Sequence, residues 1–119
     1  MSVCITAIGP TLDATLDPTF GRARYFLFVN PETEAFEAIE NAPAAHGAGV
    51  QAAQLLADRR VAALITGNVG PNALDGLQAA AIPVFPCSSG SAKEALDRFR
   101  RGELVAAAAP TQVKHGGGK

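Results

Sequence analysis

A mixed α/β layer is the fold class that this sequence predicts, and three observations predict it. Five short runs are apolar, β-branched or aromatic and read as strands. Three stretches carry apolar residues at helical spacing, and the order of all eight is β-β-β-α-β-α-β-α. The 119 residues suffice for one domain that buries roughly two thirds of its unfolded surface and folds without disulfides or structural metal.

The first strand covers residues 2–8 and ends at Gly9-Pro10. Residues 9–23 then form a connection whose length is uncommon in a compact domain unless it serves a function. Residues 24–30 and 35–41 make a hairpin at a sheet edge around Pro31-Glu32-Thr33-Glu34, with Phe36 and Ile39 as the packed residues of its second strand. The Ala- and Gly-rich segment 42–49 leads into a helix over 48–60 whose core stripe is Val50, Ala53, Leu56 and Ala57. Residues 61–66 are apolar enough for a strand buried on both faces. A glycine-rich loop passes from them into a helix over 71–80, where Pro71 suits the first helical position and Leu74 and Leu77 face the sheet. Residues 82–86 are the fifth strand. Ser91 and Glu94 match a capping box that opens a third helix, with Ala95, Leu96 and Phe99 on its apolar stripe and Gly102 as its stop. A domain over 1–105 and a flexible tail over 106–119 are expected.

This order is that of an RNase H-like mixed five-stranded sheet with helices packed on it: an antiparallel front portion joined to right-handed parallel crossovers. With the first strand running up, the loops after strands one, three, four and five open at one edge. Open α/β sheets bind ligands at such an edge, and here it carries Arg22, His46, Asn68, Asn72 and Cys87.

The loop Gly67-Asn68-Val69-Gly70-Pro71-Asn72 precedes a helix and has the composition of an anion cradle, because N–H groups at a helix N-terminus attract negative charge. A plain tight strand-to-helix turn has the same composition, and the Gly-Lys-Ser/Thr ending of a nucleotide loop is missing. Arg22 and Arg24 are either donors to one anion or solvated side chains paired with Asp13 or Asp17. His46, in a Gly/Ala loop, is a donor to an anion, a ligand for copper or iron, or simply solvated. Of the two cysteines, Cys4 reads as a small buried hydrophobe, and Cys87, at the end of the last strand, either as an exposed candidate metal ligand or as a cysteine without a functional role. No C-x-x-C spacing supports a zinc site.

A net charge of −1 without any Lys/Arg run argues against binding to a nucleic-acid backbone, and the absence of Trp against a base-stacking platform. The first strand carries no carboxylate and Asp13 and Asp17 lie in a loop, so a two-metal nuclease is not indicated. With no acid–base pair in view the chain is expected to be no enzyme. No basic leader or long apolar stretch precedes the first strand, and a cytoplasmic location is expected, with no membrane partner.

Three segments, DPTFGRARYF (17–26), GAGVQAA (47–53) and ITGNVGPNAL (65–74), together resemble the dinitrogenase iron-molybdenum cofactor biosynthesis family, and the likeness extends over residues 3–104. The resemblance implies an RNase H-like fold that binds, carries or stores an anionic metal–sulfur cluster rather than transforming a substrate. Stand-alone chains of this length are similar to the orange protein group of that family. That likeness implies a molybdenum-copper-sulfide cluster held non-covalently, with an iron-molybdenum-sulfur cofactor or its precursor as the alternative. A cluster that brings its own sulfides needs donors and positive charge more than thiolates. The resemblance puts Arg22, Gly67 and Asn68 at the site; the loops add Arg24, His46, Gly70 and Asn72, with His46 and Cys87 as candidate metal ligands. A cofactor-assembly protein or a partner ATPase is the implied protein partner, and a regulatory module docking that partner through the same edge is the alternative function.

Overall fold

Local sequence and chain order agree with what folds. The computed structural model describes residues 1–108. Its elements are β1 (Val3–Ala7), β2 (Tyr25–Val29), β3 (Phe36–Glu40), α1 (Ala48–Asp58), β4 (Ala63–Thr66), α2 (Pro71–Ala79), β5 (Val84–Pro86) and α3 (Ala92–Arg100). The sheet order is β3-β2-β1-β4-β5, with β1 antiparallel to β2 and parallel to β4. This is the RNase H-like mixed sheet. β1 lies at its centre, with Ile5 opposite Leu27 on one side and Ile65 on the other, and all its residues are buried. That is why its sequence shows no polar alternation.

Side chains alternate along each strand, so the sheet has two distinct cores. Cys4, Phe26, Phe28 and Leu64 pack with α1 and α2. Val3, Ile5, Leu27, Val29 and Ile65 pack with Leu96 and Ala95 of α3. The α1–α2 contact runs through small residues: a Cβ on Gly49 would stand 3.1 Å from the Ala73 Cβ. With Gly49 and Ala73 both near the start of their helices, the two N-terminal turns lie side by side.

Two packing expectations are corrected. Val50 is 53% exposed, and the buried stripe of α1 is Ala52, Ala53 and Leu56, with Ala57 half-buried. At about 100° per residue Val50 falls to the side of the Ala52–Ala53–Leu56 stripe, so helical phase leaves it exposed. Phe36 is 42% exposed because it sits opposite Val29 on the outermost strand; Ile39, on the other face, packs against the α1–α2 core as expected.

The third helix carries the capping box in full, with Ser91 N–H donating to Glu94 Oε1 at 2.8 Å and Glu94 N–H to Ser91 Oγ at 3.1 Å. Beyond it the Ala107 N–H donates to the Val84 carbonyl at 2.8 Å. Of the tail expected over 106–119, the part past residue 108 lies outside the described residues. Among the described residues no helix is long and apolar enough to cross a membrane.

Candidate functional site

The long connection after β1 does two jobs at the carboxyl edge of the sheet. Its first half closes α3: Ala92 and Lys93 donate their N–H groups to the carbonyls of Ala14 and Leu12, both at 2.9 Å. With the capping box, this leaves the α3 N-terminus fully occupied by the chain itself. The second half crosses to the other face. Thr6 Oγ1 donates to the Asp17 carbonyl at 2.8 Å and lies 2.8 Å from the Thr66 hydroxyl, so two buried cross-strand threonines tie the loop to the sheet. The Asn68 N–H donates to the Pro18 carbonyl at 2.7 Å. Gly67 permits that approach, since a Cβ there would meet Pro18 backbone at 2.6 Å.

Between this loop and the first turns of α1 and α2 lies a cavity of about 690 Å³, lined by residues 19–22, 47–50, 68 and 70–73. The volume is that of a small-ligand site. Both helices begin with glycine, Gly47 and Gly70, and neither has a side-chain cap or an acidic residue in its first turn. Gly47 is left-handed, φ 71°, a conformation in which most residues are strained. The first-turn N–H groups of two helices, with the positive ends of their dipoles, thus lie in one cavity wall. The contrast with the capped α3 is a property of the sequence: Ser opens the helix away from the cavity, Gly opens the two at it.

Arg22 comes to the cavity on a turn. The Ala23 N–H donates to the Phe20 carbonyl at 3.1 Å, and Phe20 and Ala23 are buried anchors on either side of Gly21 and Arg22. Asp17 Oδ1 accepts from the Thr19 N–H at 3.0 Å and the Thr19 hydroxyl at 2.9 Å, while Oδ2 accepts from the Arg24 N–H at 3.0 Å. Just after β3, Asn41 Nδ2 donates to the carbonyls of Gly21 and Ala23 at 3.0 and 2.9 Å. The exposed Arg22 guanidinium reaches the Ala44 carbonyl at 3.3 Å.

Of the residues expected at the site, Arg22, Asn68, Gly70 and Asn72 line the cavity together. Asn68 directs its Nδ2 to the Pro18 carbonyl at 3.3 Å. Arg24, His46 and Gly67 do not line it: Arg24 and His46 are exposed beside it, and Gly67 lies behind, against Pro18. The alternative pairing of Asp17 with an arginine side chain is replaced by its bonds to main-chain N–H groups. Cys87, expected to be exposed, is buried at 4%, since its N–H extends the ladder to the Thr66 carbonyl and alternation turns its side chain into the α3 core. Its Sγ lies 3.6 Å from the Ser89 carbonyl and 3.9 Å from the Arg98 guanidinium, on the opposite face from the cavity. Cys4 is fully buried, and desolvation pushes its thiol pKa well up. The sequence reading missed Thr19 and residues 47–50 as lining. The signal was Gly-Ala-Gly, without Ser, Thr, Asp or Asn, where a cap would stand.

Among the described residues no group of three or more His, Cys, Asp or Glu could hold a metal ion, and none of these residue types lines the cavity. The donor set suits an anion that carries its own ligands.

Residues 1–102 match the family described as dinitrogenase iron-molybdenum cofactor. The apo form of the orange protein from Desulfovibrio gigas has 41% sequence identity and a TM-score of 0.89, covering 93% of this chain and 96% of that one. A Thermotoga protein of the DUF35 family, named for NifB and solved by NMR, has 34% identity and a TM-score of 0.82 over 97% of this chain and 98% of its own. An uncharacterized protein of Methanocaldococcus jannaschii is 35% identical over 94 residues, 75% of this chain and 80% of that one. On sequence match and fold alike, the chain belongs to the dinitrogenase iron-molybdenum cofactor family.

Proposed function

We propose that this protein binds and carries an anionic metal–sulfur cluster non-covalently, in the cavity between the α1 and α2 N-termini, without transforming it. One observation carries the reading: two glycine-started, uncapped helix ends and Arg22 open on a single cavity whose lining holds no Cys, His, Asp or Glu. Such a wall offers main-chain donors and positive potential to a guest that supplies its own sulfides. The lining holds no acid–base pair, which supports carriage over chemistry. Kinship with the orange protein favours a molybdenum-copper-sulfide cluster as the cargo, ahead of an iron-molybdenum-sulfur cofactor or its precursor. Arg22, Asn68, Gly70 and Asn72 are its contacts in this reading, with Arg24 adding positive charge and His46 a hydrogen-bond donor from outside the wall.

The test is an anaerobic titration of apo-protein with tetrathiomolybdate and then cuprous ion, followed by desalting, visible absorption and metal analysis. A retained chromophore at a fixed metal-to-protein ratio is expected. Loss of all metal on desalting overturns the molybdenum-copper cargo and turns attention to an iron-molybdenum-sulfur cluster or to a docking role toward an assembly protein or ATPase.

A further inference from the structure

We infer that Asp17 and Asn41 are a matched pair of positioning residues that fix the Arg22 turn on the cavity, one by accepting hydrogen bonds and the other by donating them. The inference rests on the cluster-carrier reading of that cavity. The turn 20–23 is short and belongs to neither a helix nor a strand; Arg22 is exposed, while Gly21 packs on the first turn of α1, where a Cβ would meet the Gly49 nitrogen at 2.6 Å. Its polar groups are nevertheless held on both sides. The Asp17 carboxylate takes the N–H groups at the two ends of the segment, Thr19 and Arg24, and the Thr19 hydroxyl besides. The Asn41 amide gives both of its hydrogens to the two carbonyls flanking Arg22, those of Gly21 and Ala23. Acceptors meet donors and donors meet acceptors, so neither residue can exchange its role with the other.

The charge on Asp17 makes the assignment distinctive. A carboxylate one residue before Pro18 and bonded to Thr19, which lines the cavity, opposes the binding of an anion there. Its presence is explained by the geometry it imposes. The two effects have opposite signs. Asp17→Asn removes a negative charge beside the site, and on charge alone it tightens binding of an anion. As a positioning residue it weakens binding, because the amide nitrogen cannot accept the Arg24 N–H and repels it.

The experiment measures, on the full chain, the dissociation constant for tetrathiomolybdate with cuprous ion in wild type, Asp17→Asn, Asn41→Ala, Arg22→Ala and the two double variants containing Arg22→Ala. Losses of about tenfold are expected for Asp17→Asn and for Asn41→Ala, the size of one charge-assisted hydrogen bond. Most of each loss should disappear in the Arg22→Ala background, since a residue acting through Arg22 has nothing left to position. Binding by Asp17→Asn that is unchanged or tighter overturns the inference, and so do losses that add fully to that of Arg22→Ala. Where Asp17→Asn does not fold, Asn41→Ala, which removes only the two donated bonds, decides by the same cycle. Failure of the wild type to take up the thiometalate sinks the carrier reading and leaves the clamp open to a ligand-free test. Hydrogen exchange at the Thr19 and Arg24 amides should then speed up selectively in Asp17→Asn, with β1 unchanged; equal exchange in both proteins overturns the clamp.

Discussion

Arg22 is the one charged side chain that lines the cavity among the described residues, and it is exposed with a single long bond to the Ala44 carbonyl. Arg22→Ala should therefore leave urea stability within about 0.5 kcal/mol of wild type while weakening thiometalate binding about tenfold. A titration in parallel with a denaturation curve checks both. Cys87→Ser makes the opposite test: its sulfur is buried in the α3 core, so cluster loading should be unchanged, and complete loss would reveal a direct thiolate bond. Ser91 belongs to the fold rather than the site. Ser91→Ala should destabilise by about 1 kcal/mol through loss of the capping box, without any change in binding.

Elements are held in register by a few close contacts. The turn after β4 meets the β1 loop where Gly67 faces Pro18, and Gly67→Ala places a methyl 2.6 Å from backbone atoms that have no flexible end to yield. A destabilisation of about 1–3 kcal/mol is expected, with amide shifts spreading through residues 17–22 in a two-dimensional NMR spectrum. The β2–β3 turn is pinned to α3 by an ion network in which Glu34 accepts from Lys93 at 3.0 Å and Arg100 at 3.1 Å, and Asp97 from the same two cations. Lys93 and Arg100 hold the Glu34 carboxyl below its ordinary value of 4.5, and the hydrogen bond with Lys93 leads the same effect on Asp97, below 3.8. Lys93 is raised above 10.5 by Asp97 and Glu34. Carboxylates depressed in the folded state stabilise it above their unfolded values and lose that effect as acid protonates them; the raised lysine stabilises below 10.5 and loses it in alkali. Glu34→Gln should consequently be slightly less stable than wild type near neutrality, with the gap closing as pH falls past the depressed Glu34 value. The four side chains are 29–36% exposed, open enough to solvent that 1 M salt should shrink the gap as well.

At the scale of the whole molecule the sheet separates two regions, one packed with α1 and α2, whose N-termini wall the cavity, and one packed with α3. Loading a cluster at the cavity edge of the sheet stabilises only the folded chain, and at a hundredfold excess over the dissociation constant the gain is about 2.7 kcal/mol. A rise in melting temperature that follows metal retention, and is cut to about half in Arg22→Ala at the same cluster concentration, checks that the bound species sits at this edge. The edge itself was legible from strand order alone, because parallel crossovers from a first strand running up must return their loops to one side. Arg22, Asn68, Gly70 and Asn72 were legible on it for that reason. Val50, Phe36 and Cys87 were misread at the level of a single residue: helical phase, edge position and the last step of a β-ladder set their exposure, and each depends on neighbours far along the chain.

The sequence by itself determined the element order, the mixed sheet, the capping of α3 and the family, because apolar periodicity, cap residues and three loop motifs are local patterns. Only the tertiary structure decided which helix ends stay open, that Gly49 and Ala73 bring two of them together, and that Asp17 and Asn41 serve the turn rather than solvent or a salt bridge. The physical reason is that an unpaired N–H or a buried carboxylate acquires meaning from what lies across from it. That partner is set by packing between segments 20 or more residues apart, as Asn41 and Gly21 are.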